Sequence, residues 1–294
     1  MEIGSKRLSL KAGDVMNLYF LGDIHEGNCN VNYDALKEAV KTIKEDPYAY
    51  WIGMGDYIEA ITYQGDKRFD PLSISRKYNI NDLKDLPYRQ AEHAYSFLKP
   101  IEDKCLALLG GNHEEVYSKY NSSNVYKRFI QMFKTSAHEE GKSPFMIGYV
   151  GFYLLQIEDK NDKTRGAKPI IIALNHGVGG GGYLEGYKTN KVHQVFKYMY
   201  GDINVMGHIH QLEENKKDII TASARGKIKR QRRYWGISGC FLNSYVEGNT
   251  NYYESRAGAG GESDIGMLKC AISFFKTNSE PQLNWRAKME KIYL

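Results

Sequence analysis

Asn17-Leu18-Tyr19-Phe20-Leu21-Gly22-Asp23-Ile24-His25 begins as an apolar run of strand length and ends in an acid and an imidazole. The same construction recurs along the chain. Tyr50-Trp51-Ile52 leads to Gly55-Asp56, and the run 105–109 leads to Gly111-Asn112-His113-Glu114. The run 170–174 leads to Asn175-His176-Gly177, and Ile203-Asn204-Val205-Met206 leads to Gly207-His208-Ile209-His210. In an α/β sheet, ligands gather outside the carboxyl ends of the strands, so strand tips carrying His, Asp and Asn can converge on one site. Together the blocks hold enough oxygen and imidazole donors for two metal ions.

Outward from these runs, strands are expected at 15–22, 48–53 and 104–109, with helices at 33–45 and 83–98, the latter ending before Pro100. This βαβαβ alternation implies a parallel sheet with helical crossovers. Val125, Phe129, Ile130 and Phe133 fall at helical spacing and predict a helix over 121–138. Strand-like runs follow at 145–157 and 169–174. A helix over 189–200 capped by Thr189 then leads into a strand at 203–206. Beyond 215 the chain is β-rich, with runs near 218–223, 227–240, 267–275 and 283–292. Two packed sheets flanked by helices fit this order better than one doubly wound sheet. Residues 60–82 and 243–266 carry turn residues without periodicity and are expected as loop insertions, which in compact domains are often functional covers. No Pro/Gly/Ser linker cuts the chain, and blocks spread from 23 to 210 need one another, so 1–294 is expected to be a single domain.

Hydrophobic residues at 42% and charged residues at 26% describe a globular chain with a sizeable core. No apolar stretch approaches the ~20 residues that cross a bilayer, and the polar segment from Met1 to Asp14 lacks a signal-peptide apolar region. A cytoplasmic protein with no membrane partner is the expectation; on oligomeric state the sequence is silent. Cys29, Cys105, Cys240 and Cys270 stand far apart with no Cys-x-x-Cys pair, which predicts free thiols rather than a thiolate metal site. A formal charge of +5 permits nucleic acid as a partner without demanding it.

Taken singly, each block has an ordinary explanation. Asp56 and Asn112 could be helix N-caps and His176 a hydrogen-bonded core histidine, although a carboxylate at the tip of an apolar strand is costly unless paired or metal-bound. The conjunction decides. Of the 8 histidines, five fall in the blocks, while His93, His138 and His193 lie elsewhere.

In this order the blocks resemble the calcineurin-like metallophosphoesterase superfamily over roughly 15–212. The resemblance implies an α/β fold, a four-layer α/β/β/α sandwich of two mixed β-sheets flanked by helices, with a binuclear metal centre. Carried over residue by residue, Asp23, His25 and His210 would hold one metal, Asn112, His176 and His208 the other, and Asp56 would bridge them. The implied reaction is phosphoester hydrolysis by attack of a metal-bridging hydroxide. His113 would donate a proton to the leaving group or stabilise its charge, and Glu59, where relatives often carry Asp, would orient His113. Mixed His/Asp/Asn ligation without thiolate suits Mn²⁺, with Fe, Zn²⁺, Ni²⁺ and Mg²⁺ also compatible.

The protein phosphatases of that superfamily place arginines just after the Gly-Asp and Gly-Asn-His-Glu blocks. Here those positions read Tyr57-Ile58-Glu59-Ala60 and Glu115-Val116-Tyr117. That departure tilts the expected substrate toward phosphodiesters, DNA or RNA or a nucleotide, as in the nuclease and phosphodiesterase branches. Further similarity is to uncharacterised proteins encoded by viruses of bacteria. Arg225, Lys227, Lys229, Arg230, Arg232 and Arg233, beside Tyr234 and Trp235, could contact phosphates and stack bases, or form a solvated strand edge. The run Gly179-Gly180-Gly181-Gly182-Tyr183 could bring backbone N–H groups and Lys188 near a phosphate. The tyrosines clustered in 243–253 could stack bases or pack a sheet. The alternatives are a phosphomonoesterase or nucleotide phosphatase with a closed pocket, and a non-catalytic binding scaffold.

Overall fold

The computed structural model describes residues 1–62, 66–121, 123–139, 141–162, 167–179, 186–199, 201–222, 226–248, 262–278 and 281–294. In chain order the strands are β1 (Glu2–Leu10), β2 (Val15–Leu21), β3 (Ala49–Gly53), β4 (Cys105–Leu109), β5 (Phe145–Ile147) and β6 (Val150–Asp159). They continue with β7 (Ile170–Asn175), β8 (Ile203–Met206), β9 (Leu212–Ala222), β10 (Ile228–Ser238), β11 (Gly266–Phe275) and β12 (Asn284–Tyr293). The helices are α1 (Tyr33–Glu45), α2 (Leu86–Leu98), α3 (Asn112–Asn121), α4 (Val125–Met132) and α5 (Tyr187–Val195).

Alternation along β2 shows how the layers arise. Leu18 and Phe20 face one side and Tyr19 and Leu21 the other, all of them buried. Leu18 and Phe20 join Ile52 and Leu106 against Leu155, Ile172, Leu174 and Val205, a core enclosed between two sheets. Tyr19 and Leu21 join Trp51 and Leu108 under Leu36, Ala94 and Phe129 of α1, α2 and α4. On the far side, Val192 and Phe196 pack onto Ala173, Met206, Trp235 and Ile237. The expected order of helix, sheet, sheet, helix is therefore present. One sheet runs β12-β11-β2-β3-β4-β5 and the other β1-β6-β7-β8-β10-β9. Both are mixed, since β2 to β5 are parallel beside antiparallel β11, and β7, β8 and β10 are parallel beside antiparallel β6 and β9.

Several boundaries differ from the sequence reading. Residues 2–10 form an edge strand paired in parallel with β6. An edge strand buries only one stripe, here Gly4 with half-buried Lys6, Leu8 and Leu10, so its composition is polar. The expected helix 121–138 is shorter, α4 at Val125–Met132, capped by the Asn124 side chain, which accepts the Lys127 N–H; before it, α3 starts inside the Gly-Asn-His-Glu block and was not expected. The run 145–157 splits into β5 and β6, which belong to different sheets. Helix α5 ends earlier than expected and is preceded by Gly186 in the left-handed region; Thr189 lies inside it, its hydroxyl donating to Glu213 Oε1 at 2.6 Å. The cysteines are free, as expected. No helix among the described residues is long and apolar enough to cross a membrane.

The 60–82 segment is laced to the chain after the first block. Cys29 N–H donates to Ser73 O and Ser75 N–H to Gly27 O, both at 2.8 Å. Of the 243–266 insertion, residues 249–261 lie outside the described residues.

Candidate metal centre

The tips of β2, β3, β4, β7 and β8 meet because their backbones bond to one another. Asp23 N–H donates to Gly55 O and Ile24 N–H to Asp56 O, each at 2.9 Å, and Gly207 N–H donates to His176 O at 3.0 Å. Close approach demands glycine at the contact. A Cβ on Gly111 would lie 2.1 Å from Asp56 Oδ1, and one on Gly55 would lie 2.7 Å from His176 Nδ1. The non-glycine residues with left-handed backbones, among those described, are Asp23, His25, Asp56, Ala60, His208 and His210. All but Ala60 are expected ligands. Such conformations cost about 1–3 kcal/mol each and persist where the surroundings impose them, typically at functional sites.

Three donor groups result among the described residues, with donor atoms within 4.8 Å of each other in each: Asp23, His25 and His210; Asp56, His176 and His208; and His25, Glu59 and His113, which shares His25 with the first. The first two are made of expected ligands alone. Asp56 Oδ2 lies between them, 3.1 Å from His176 Nε2 and 3.9 Å from His25 Nε2. Asn112 Oδ1 is 3.2 Å from His176 Nε2. His25 Nε2 and His210 Nε2 are 3.0 Å apart, and Asp23 Oδ1 lies 3.6 Å from the latter. All seven expected ligands thus come together.

The ring orientations suit coordination. His176 Nδ1–H donates to the Met54 carbonyl at 2.7 Å and His25 Nδ1–H to Glu59 Oε2 at 3.0 Å. Both histidines therefore turn Nε2 inward, the arrangement that fixes metal-ligating imidazoles. Buried nitrogens facing each other beside carboxylates would be costly without a cation, so this donor set fits two divalent ions. The mutual charges are strong. Burial pushes the Asp23 carboxyl up to about 7. Burial would also lower His176, but Asp56 raises it to about 10. Despite its own burial, Asp56 is held well below the usual carboxylate range, chiefly by His176 and His113. Burial and the His176 charge bring His208 down to about 4, and burial with His25 depresses His210.

Glu59 sits differently from expectation. Its carboxylate takes His25, with Asn28 Nδ2 donating to it at 3.3 Å, while His113 Nδ1–H donates to the Glu59 backbone carbonyl. The acid therefore orients His25 through its side chain and His113 through its main chain. His113 N–H donates to Asp56 Oδ1 at 2.9 Å, and its ring packs edge-on against His25 at 4.6 Å between centroids.

Two residues at the centre carried no role in the sequence reading. Glu114 is buried and accepts the N–H groups of Asp56, Tyr57, Ile58 and Gly111 at 2.6–3.2 Å, tying the β3 tip to the β4 tip. Burial and the Asp56 charge push its carboxyl up to about 7. Arg68, from the 60–82 segment, places Nη1 3.2 Å from His113 Nε2. Glu114 was signalled by its place in the block; Arg68 had no local signal.

Other expected contributors lie elsewhere. His93 and His138 meet the hydroxyls of Tyr78 and Tyr153, each at 3.0 Å, and the His193 ring packs on Trp235 at 4.8 Å. The basic run occupies the start of β10, whereas the blocks follow strand ends, and Tyr234 and Trp235 are buried rather than presented to a base. Arg225, Gly180 to Gly182 and Tyr183 lie outside the described residues, as do Tyr252 and Tyr253. Lys188 pairs with Asp264 Oδ2 at 3.1 Å, and Asp264 N–H donates to the His210 carbonyl at 2.9 Å.

Two mixed sheets whose strand tips gather imidazoles and carboxylates define a metal-binding α/β sandwich. The chain belongs to the calcineurin-like phosphoesterase family, whose model matches residues 16–212. No curated protein matches the sequence. Among solved structures, similarity is found to a Vps29 double mutant from Entamoeba histolytica at 9% identity, covering 94% of this chain and 99% of that one, with a TM-score of 0.36. A conserved protein from Streptococcus pneumoniae TIGR4, described as a predicted phosphoesterase, matches at 9% identity over 96% and 100% of the two chains, TM-score 0.29. The NAD nucleotidase of Haemophilus influenzae matches at 10% identity over 96% of this chain and 51% of that one, TM-score 0.38.

Proposed function

We propose that this protein hydrolyses phosphoesters at a binuclear centre in which Asp23, His25 and His210 hold one divalent ion, Asn112, His176 and His208 the other, and Asp56 is shared. The observation that carries this reading is Asp56 Oδ2, within 4 Å of an inward-facing Nε2 from each group. Mn²⁺ is the working choice, because the donors are oxygen and imidazole without thiolate. When bound, such a metal pair supplies a hydroxide near neutral pH and stabilises the charge of an in-line displacement. Glu59 acts as a positioning residue, holding His25 by its carboxylate and His113 by its carbonyl. His113 stands beside Asp56 with Nε2 directed away from Glu59 and toward Arg68; once that nitrogen takes up a proton, it would be placed to donate to a leaving-group oxygen.

On substrate class, the missing motif arginines support phosphodiesters, nucleic acid or nucleotide among them. The remote position of the basic run and the burial of its aromatic neighbours take away much of the support for an extended nucleic-acid surface. A specific observation favours a second reading, the phosphomonoesterase or nucleotide phosphatase: Arg68 brings an arginine to His113 through space. The deciding assay compares Mn²⁺-dependent initial rates on bis-p-nitrophenyl phosphate and p-nitrophenyl phosphate. Turnover of either ester that requires metal and disappears in Asp56→Asn supports the centre, and the preferred ester assigns the class. Absence of metal-dependent turnover on both, with metal bound, would leave the scaffold reading.

A further inference from the structure

Arg68 belongs to none of the five blocks, yet its position is determined from three sides. Asp66 grips it as a fork, Oδ1 accepting Nε–H at 3.0 Å and Oδ2 accepting Nη2–H at 2.8 Å. The Arg68 backbone N–H also donates to Asp66 Oδ1, at 2.9 Å. The fork turns Nη1 toward His113 Nε2, 3.2 Å away. Since His113 Nδ1 donates to the Glu59 carbonyl, Nε2 is the acceptor in this pair, and Arg68 supplies the hydrogen between them. Beyond it, the Cys29–Ser73 and Gly27–Ser75 backbone bonds fasten the segment to the chain that follows His25. The side chain is only 23% exposed.

A guanidinium partly withdrawn from water is costly to place, and the Asp66 carboxylate offsets part of that cost. Here Nη1 meets the imidazole of His113, whose backbone N–H donates to Asp56, the carboxylate lying between the two ligand groups. Planar guanidinium geometry matches phosphate oxygens. Its charge matters most for a phosphomonoester, which carries about two negative charges near neutral pH, against one for a diester.

We propose that Arg68, aimed by Asp66, is the residue of this chain that binds the substrate phosphate beside the metal pair and biases the site toward phosphomonoesters. The assignment rests on the two-metal reading above and places in a loop the arginine that the motif positions lack.

Inorganic phosphate is the probe, because its binding needs no turnover. Calorimetric titration of phosphate into the Mn²⁺-loaded full chain should show binding weakened about tenfold in Arg68→Ala, the scale of a lost charge-assisted hydrogen bond. The KM for p-nitrophenyl phosphate should rise by a similar factor, and by more than the KM for bis-p-nitrophenyl phosphate. Arg68→Lys, which keeps the charge and loses the fork, should fall between, and Asp66→Asn should weaken phosphate in the same direction. Metal content measured on the same samples separates phosphate recognition from loss of the centre. Unchanged phosphate affinity in Arg68→Ala with metal retained would overturn the proposal, as would equal KM increases for the two esters. If Arg68→Ala loses metal, the phosphate affinity of Arg68→Lys decides in the same terms. A wild-type chain that binds phosphate but turns over neither ester would refute the hydrolytic reading alone.

Discussion

The two ends of β10 are chemical opposites. At its start, Lys229, Arg230 and Arg232 point into solvent, and Arg232 spends its charge on Asp218 across the ladder at 2.8 Å. Its last residues, Trp235 to Ser238, are buried and lead to Phe241, whose N–H donates to the Asp23 carbonyl at 3.0 Å. The charged end is conspicuous in sequence and nearly inert in energy, since exposed pairs contribute about 0–1 kcal/mol. The buried end meets few ionisable groups, but there each interaction is strengthened by the low dielectric. Function therefore follows the burial of charge rather than its abundance.

The harshest attempt to break this contrast removes one charge at the buried end. Asp56→Asn should lower turnover about a thousandfold, matching the several kcal/mol that metal ions contribute to such reactions, and should reduce bound Mn²⁺ by elemental analysis. Next in size, Glu59→Gln should weaken metal binding or activity about 10- to 100-fold, the usual effect of losing the partner that orients a ligating histidine; equal metal affinity by calorimetry would show that His25 needs no such partner. A third test uses pH. In the metal-free chain, Asp56 keeps His176 protonated up to about 10, so that pair's stabilisation is complete below the unfolded value near 6.5 and is lost as pH rises through about 10. The Tm in EDTA should therefore fall between pH 7 and pH 10, and Mn²⁺ uptake at pH 8 should release protons. The smallest effect belongs to the solvated end: Lys229→Ala with Arg230→Ala should move stability by less than about 0.5 kcal/mol and leave ester hydrolysis unchanged. A marked loss of activity there would restore the nucleic-acid surface.

The convergence of the candidate ligands was legible because each follows an apolar run, so that a local pattern coincides with a tertiary position. The layering was legible for the same reason, through alternation such as that of Leu18, Tyr19, Phe20 and Leu21. Residues 2–10 were not, because an edge strand needs little apolar surface and takes its pairing from β6. Helix α3 escaped the helical periodicity because it buries only His113 and Glu114 and so carries no apolar stripe. Arg68 escaped for a deeper reason. A search for arginine at fixed offsets from the motifs asks about neighbours in the chain, whereas the residue reaches His113 across 45 positions through a segment without periodicity. The carboxylate of Glu59 likewise stands near two histidines, 3.0 Å from His25 and 3.9 Å from His113, and only packing could choose His25 for its hydrogen bond.

Glu114 gives the centre a property that none of its ligands has. Because one carboxylate gathers the amides of Asp56, Tyr57, Ile58 and Gly111, the second and third strand tips cannot move independently. On the two-metal reading, a shift imposed on Asp56 would be passed to Asn112 without a ligand changing hands. The two ions should thus load cooperatively, as a single sigmoidal step when metal-free protein is titrated with Mn²⁺, and Glu114→Gln should separate that step into two.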